Sequence, residues 1–314
     1  MIIPNKSDKV IQQRAFYRNT GSKTKMIQNK NTLIEHYKNA CEVELQAFKP
    51  GNVSIYSEGH DMTVADFRLS ADVSALPLCE PNYSLGEKIF YATKATHDAV
   101  GCNTNLGIIL LCAPLICAIQ NYPALALRPA LAEVLNNTTI DDANWVFQAI
   151  ALASPGGLGK VDNQDVNQNA TITLQAAMHL SSDTDRIALQ YVSDYKDIFD
   201  LGVLSYTYSF NRWGEQNWAA VAVYADLLSQ FPDSHIERKF GSRYSVRVAT
   251  MMNELSNKLR IINDPKQVKP LLYQMDAELK SHGLNPGTSA DLTVATVLAV
   301  FLECSLVRRD KSET

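Results

Sequence analysis

What this chain of 314 residues lacks narrows its reading first. Its six cysteines (Cys41, Cys79, Cys102, Cys112, Cys117 and Cys304) contain no C-x-x-C pair, and several sit inside apolar runs. That excludes a disulfide framework or a zinc ribbon as the organising device, and the cysteines read as small buried hydrophobes in a reducing cytoplasm. The six histidines are scattered with no H-x-x-x-H spacing, which argues against a zinc site. A net charge of only −4 supplies no broad positive field for nucleic acid. The most apolar stretch, Leu106 to Ile119, falls short of the roughly 20 residues a bilayer requires, so no membrane partner is expected. Strand alternation is scarce, and there is no Asn-Gly hairpin turn.

Helical spacing is what remains. It recurs at about 31–48, 62–79, 84–99, 104–121, 139–153, 170–180, 183–200, 215–230, 243–262, 266–281 and 289–306. Gly, Pro, Asn and Asp cluster between these runs, as in "KPGNVS", "SPGGLGKVDNQDV" and "GLNPGTSAD". The pattern predicts an all-α protein, a single bundle of about ten helices. The run 106–119 is apolar on every side, so it is the expected buried central helix. The domain is expected over 31–307, with a short tail at 308–314. Residues 1–30 carry seven Lys or Arg against one acid, Asp8, without an amphipathic period or an apolar secretion core. They read as a loosely ordered basic arm.

Acids on apolar faces are the informative residues. At 100° per residue, Leu33, Tyr37, Ala40, Cys41, Leu45 and Phe48 form one stripe, with Glu44 in its middle and Glu42 on the opposite side. An unpaired buried carboxylate costs several kcal/mol, so Glu44 needs a partner. That partner is a metal or ligand if the residue is functional, or an Arg or Lys if it is structural. Asp291 lines up with Val294, Ala295, Leu298 and Leu302. Capping by Ser289 and Asp291 explains an acid in a first helical turn, but not one that faces inward. Asp183 projects with Ile187, Tyr191 and Ile198, whereas Asp185 is expected to point away.

Two loops concern anions. "SPGGLGK" fails the G-x-x-x-x-G-K-[ST] pattern, since Ser154 and Val161 occupy the first and last positions and no strand precedes it. Its glycines still allow backbone N–H groups to approach a phosphate. "KPGNVS" places Lys49 before a turn, either as an anion contact or as ordinary surface charge.

Taken together, Glu44 with "KPGNVS" (49–54), "GHDM" (59–62), Phe67, "SA" (70–71), "GCNTNLG" (101–107), "DTD" (183–185) and "NPGTSADL" (285–292) resemble the ATP:dephospho-CoA triphosphoribosyl transferases in order and spacing. The resemblance implies an all-α fold and an unusual reaction. The 2′-hydroxyl of dephospho-CoA attacks the anomeric carbon of the ATP ribose, adenine leaves, and the triphosphate stays on the transferred sugar. An oxocarbenium-like transition state calls for one carboxylate to stabilise positive charge and another to take the hydroxyl proton. A triphosphate calls for Mg²⁺, held by one or two carboxylates with phosphate oxygens and water.

On that basis Glu44, Asp61 and Asp291 are the expected catalytic acids, and Asp61, Asp183 and Asp291 the expected metal ligands. Lys49, Asn103, Thr104, Asn105, Gly157, Lys160 and Ser289 are expected to bind the nucleotide. In the 103–105 cluster one side chain would cap the following helix, while its N–H groups face the nucleotide. The expected partners are ATP and dephospho-CoA, and the reading allows a homodimer.

The chain also departs from the family. Bacterial members serving citrate lyase read N-T-H-K-G where Asn103-Thr104-Asn105-Leu106-Gly107 stands here. Leu189 stands where an arginine is frequent, and Phe48 where proline is usual. "NTNLG" is similar to an archaeal-type branch. The loss of cationic groups keeps two competing readings in view: the same chemistry on a different acceptor, and an inactive helical protein that binds a nucleotide or a partner.

Overall fold

The computed structural model describes residues 29–57, 62–153 and 169–310, with side chains as far as 306. The basic arm before residue 29 lies outside the described residues, as do Asp61, Gly157 and Lys160 and the end of the tail. All regular structure among the described residues is helical, apart from one isolated bridge between Ser54 and Ser57.

The first helices start where their capping residues dictate. Helix α1 (Lys30–Gln46) is capped by the Asn29 side chain, which accepts from the Asn31 amide. Helices α2 (Val64–Leu78) and α3 (Leu85–Val100) each open on a reciprocal capping box, Thr63 with Asp66 and Ser84 with Glu87. Gly101, at φ 77°, ends α3 in the left-handed conformation glycine tolerates. Then come α4 (Leu106–Asn121), α5 (Leu127–Asn136), α6 (Ile140–Ala153), α7 (Leu174–Ser181) and α8 (Arg186–Val192). A π-helical turn (Asp197–Gly202) leads into α9 (Val203–Trp213), α10 (Gln216–Gln230), α11 (Ser234–Phe240), α12 (Ser245–Ile261), α13 (Lys269–Ser281) and α14 (Gly287–Asp310).

Two helices make the centre. Every residue of α4 from Ile108 to Ile119 is buried, as the all-round apolar run predicts. Helix α14 packs against α1, α4, α9, α10 and the π turn. Its segment Gly287–Leu306 is long and apolar enough to cross a membrane by length and composition, and 72% of that window is buried inside the protein. Its buried Thr293 and Thr296 hydroxyls each donate 2.8 Å bonds to the carbonyls four residues back, so no polar group is stranded.

Pro114 interrupts the hydrogen-bond ladder of α4, because proline has no N–H to offer the Leu110 carbonyl. The Tyr191 hydroxyl supplies the donor at 2.6 Å, and Tyr195 donates to the neighbouring Leu111 carbonyl at 3.0 Å. This anchoring explains a departure from the periodicity. The run 183–200 is not one helix but α8, then a reversal at Asp194 (φ 49°) and Tyr195 (φ 55°), then the π turn. Helices α5, α9 and α11 also escaped the sequence pattern. Helix α5 contains Pro129 near its start, and α11, with 7 residues, is too short to establish a period.

A candidate active site between helix starts

The stripe expected on α1 is observed: Leu33, Tyr37, Ala40, Cys41 and Leu45 are buried, and Glu44 is buried among them at 4% exposure. Its partner comes from the next turn of the same chain. Lys49, at 0% exposure, places Nζ 2.7 Å from Glu44 Oε1 and donates to the Val53 carbonyl at 2.6 Å. Burial pushes the Glu44 carboxyl up and the Lys49 ammonium down, and each shift is opposed by the partner's charge. Lys49 is therefore neither surface charge nor an exposed phosphate contact. It is bound inward, because "KPGNVS" turns back onto α1.

That turn is tied down from several sides. Gly51 stands at φ 83°, and a Cβ there would lie 3.0 Å from the Leu284 carbonyl oxygen, so the position calls for glycine. Its amide donates to Asp276 at 2.8 Å, Tyr224 donates to the Pro50 carbonyl at 2.8 Å, and Asn52 bonds Asn285 at 2.7 Å. The "KPGN" and "LNP" motifs thus pack on each other, which brings α1 and the start of α14 together.

The cluster 103–105 divides its tasks. The Asn103 side chain accepts from the Leu106 amide at 3.1 Å and so caps α4. Thr104 is buried and bonds Ser70, leaving its hydroxyl no reach toward a nucleotide. Asn105 donates to Ser74 at 3.2 Å and lines a small cavity with Glu44, Cys41, Leu45, Phe67, Ala71 and Ile108. Among the described residues, the amides of Gly107 and Ile108 have no acceptor, so the start of α4 offers two N–H groups to an anion.

Asp291 meets that helix start. A Cβ on Gly107 would fall 2.0 Å from Asp291 Oδ2, so only glycine lets this carboxylate approach the backbone of α4. Asp291 is half-buried and makes no hydrogen bond or ion pair among the described residues. Its carboxyl is held well above the usual carboxylate range, first by burial and then by the charges of Glu44 and Asp233, with Arg238 pulling the other way. The inward placement predicted for Asp291 is therefore observed, and capping alone does not account for it.

The "DTD" segment corrects the sequence reading. Asp183 is exposed, and the acid turned to the site is Asp185. Residues 182–184 are turn, Asp185 is the extended N-cap, and α8 begins only at Arg186, so projecting a helix from 183 put the wrong acid inward. Asp185 caps α8 through the amides of Ile187 (2.8 Å) and Ala188 (3.0 Å), and its other oxygen pairs with Arg238 at 2.6 Å. Ser289, expected at the nucleotide, is buried and gives both its amide and its hydroxyl to Asp233. Sequence reasoning missed Arg238, Asp233 and His235. All three belong to α11 or its cap, and the only signal available was the Asp-Ser start at 233–234. Among the described residues no group of three or more His, Cys, Asp or Glu is arranged to hold a metal ion.

Residues 30–310 match the family described as ATP:dephospho-CoA triphosphoribosyl transferase. No curated protein matches the chain. Among solved structures, one from Archaeoglobus fulgidus, described under the name triphosphoribosyl-dephospho-CoA synthase, is similar at 24% identity. The match covers 74% of this chain and 96% of that one, with a TM-score of 0.57, and it shows a shared fold. With the motifs in order, an all-α fold that brings together those among the described residues and a match over nearly the whole length, the chain belongs to the ATP:dephospho-CoA triphosphoribosyl transferase family and is an enzyme of the pentosyltransferase type.

Proposed function

We propose that this site transfers the triphosphoribosyl group of ATP to the 2′-hydroxyl of dephospho-CoA and releases adenine. The observation that carries the reading is Asp291, an unpaired carboxylate set against the start of α4 and within the electrostatic reach of Arg238. Such groups suit a triphosphate. The amides of Gly107 and Ile108 and the α4 dipole attract it, and Arg238, released from Asp185, contributes a guanidinium with fork geometry. Arg238 thus supplies a cation that the Asn105-Leu106 pair does not. Neither a different acceptor nor an inactive binding protein is favoured by the family match.

The donor chemistry also fits Mg²⁺. Asp291 would hold such an ion as a hard-oxygen ligand, together with the triphosphate itself. The ion would neutralise triphosphate charge. Asp185 is the second carboxylate on this side, in place of the exposed Asp183. Asp61, Gly157 and Lys160 remain proposals from the family resemblance.

The ribose is placed beside Glu44. There the bond between C1′ and N9 of adenine breaks while C1′ bonds to the acceptor oxygen. The Glu44 oxygen not engaged by Lys49 stabilises positive charge at C1′ and receives the hydroxyl proton, and the departing adenine takes up one proton in balance. A carboxyl raised by burial suits that role, because its affinity for a proton lies nearer working pH. Asn105 and Phe67 shape the wall that holds the sugar.

The test is chromatography of a reaction containing ATP, Mg²⁺ and dephospho-CoA. Free adenine and a triphosphoribosyl adduct of dephospho-CoA are expected in equal amounts, without ADP. Stoichiometric ADP would mean phosphoryl transfer and would overturn the reading.

A further inference from the structure

Asp233 belongs to none of the motifs above, and the reaction as described gives it no task. Its carboxylate nevertheless joins two helix starts. Oδ1 accepts from the amides of His235 at 3.0 Å and Ile236 at 3.2 Å, which caps α11. Oδ2 accepts from both the amide and the hydroxyl of Ser289, each at 2.8 Å, in the first turn of α14. The residue preceding α14 is Pro286, which has no side-chain acceptor, so the first-turn amides must find one elsewhere. Asp233 provides it from 56 positions away in the chain. At 3% exposure, with four donors and two helix dipoles converging on it, the carboxylate is held without an ion-pair partner.

The geometry has a direct bearing on the site. Helix α11 carries Arg238, and α14 carries Asp291 two residues beyond Ser289. We propose that Asp233 is a positioning residue for the transfer: it clamps the start of α11 to the first turn of α14 and so fixes Arg238 and Asp291 against each other across the bound triphosphate. This rests on the reading of Arg238 and Asp291 given above.

Asp233→Asn tests the clamp while sparing the α11 cap. The asparagine oxygen still accepts from His235 and Ile236, but its NH₂ group meets the Ser289 amide donor to donor. The expected result is a fall of about 30-fold in kcat for adenine release, with KM for ATP changed less than about threefold, the scale of a small misplacement of reacting groups. In an Asp291→Asn background the same substitution should cost less than about twofold, since the two act through one contact. Amide exchange at Ser289 should be at least about tenfold faster, with the exchange of α11 unchanged. If Asp233→Asn does not fold, Ser289→Ala, which removes only the hydroxyl bond, replaces it with an expected loss of about three- to fivefold.

A variant with turnover within twofold of the wild type, or with a full loss that persists in the Asp291→Asn background, overturns the positioning role. Unchanged exchange at Ser289 overturns the clamp itself. A wild-type chain that releases no adenine instead sinks the reading of the reaction, whereas an active wild type with an equally active Asp233→Asn sinks only this proposal.

Discussion

Glu44 and Asp291 are both acids on apolar helix faces, and the structure treats them in opposite ways. Glu44 has a cation inside the chain: Lys49 lies 2.7 Å from one of its oxygens, and the lysine itself is locked to the Val53 carbonyl. Asp291 is different: burial and then three other acids raise it, and no cation is bonded to it among the described residues. The first arrangement offsets its charge within the chain and leaves one oxygen for the substrate. The second leaves a carboxylate whose best partner comes from outside the chain, a cation or a substrate proton. An inward acid in a sequence thus carries two meanings, and only its neighbours separate them.

Three substitutions break or sharpen this contrast. The largest effect is expected at the buried pair. Lys49→Met strands a buried carboxylate and should cost about 3–5 kcal/mol of stability, read as a shift in the denaturant midpoint. Adding Glu44→Gln should restore most of it. If Lys49→Met left the midpoint unchanged, Lys49 would not be what compensates the buried charge of Glu44.

The unpaired carboxylate should behave in reverse. Asp291→Asn should reduce adenine release by at least about 100-fold, the scale of an acid–base or charge-stabilising group. Its helical circular dichroism should be intact and its stability equal or higher, because an uncompensated charge has gone. Loss of the fold with full activity per folded molecule would make Asp291 structural after all.

A smaller effect is expected from Gly107→Ala, whose Cβ would sit 2.0 Å from Asp291 Oδ2. The carboxylate must move, and turnover should fall by about 10- to 30-fold. Steady-state kinetics in the Asp291→Asn background, where the substitution should matter much less, separates displacement of the acid from general damage to α4.

The all-α class, the buried α4 and the inward positions of Glu44 and Asp291 were legible because each depends on helical periodicity within one segment. The role of Asn103 as a cap was legible for the same reason, since its bond to the Leu106 amide spans three residues. What could not be read depends on where helices start and on contacts distant in sequence. The choice of Asp185 over Asp183 turned on α8 starting three residues later than the pattern suggested. Lys49 could have met a phosphate or an acid, and only the fold of "KPGNVS" onto α1 decides it. Arg238 lies in a helix of 7 residues and Asp233 caps it, too brief a helix to show a period, and they meet Asp185 and Ser289 across 53 and 56 positions.

The missing donor at Pro114 has a consequence for how the chain folds. Helix α4 is the most apolar element, and a chain that collapses early would be expected to form it first. Yet the Leu110 carbonyl gains its donor only when Tyr191 arrives from 81 positions away. A fragment spanning α4 alone would therefore carry a permanent flaw at its middle, and its helix would fray about that point. Completion of the core is then a late, long-range event that waits on the docking of α8. That couples the order of the Asp185 side of the site to the closing of the core, so a chain with an incomplete centre would also present an incomplete site.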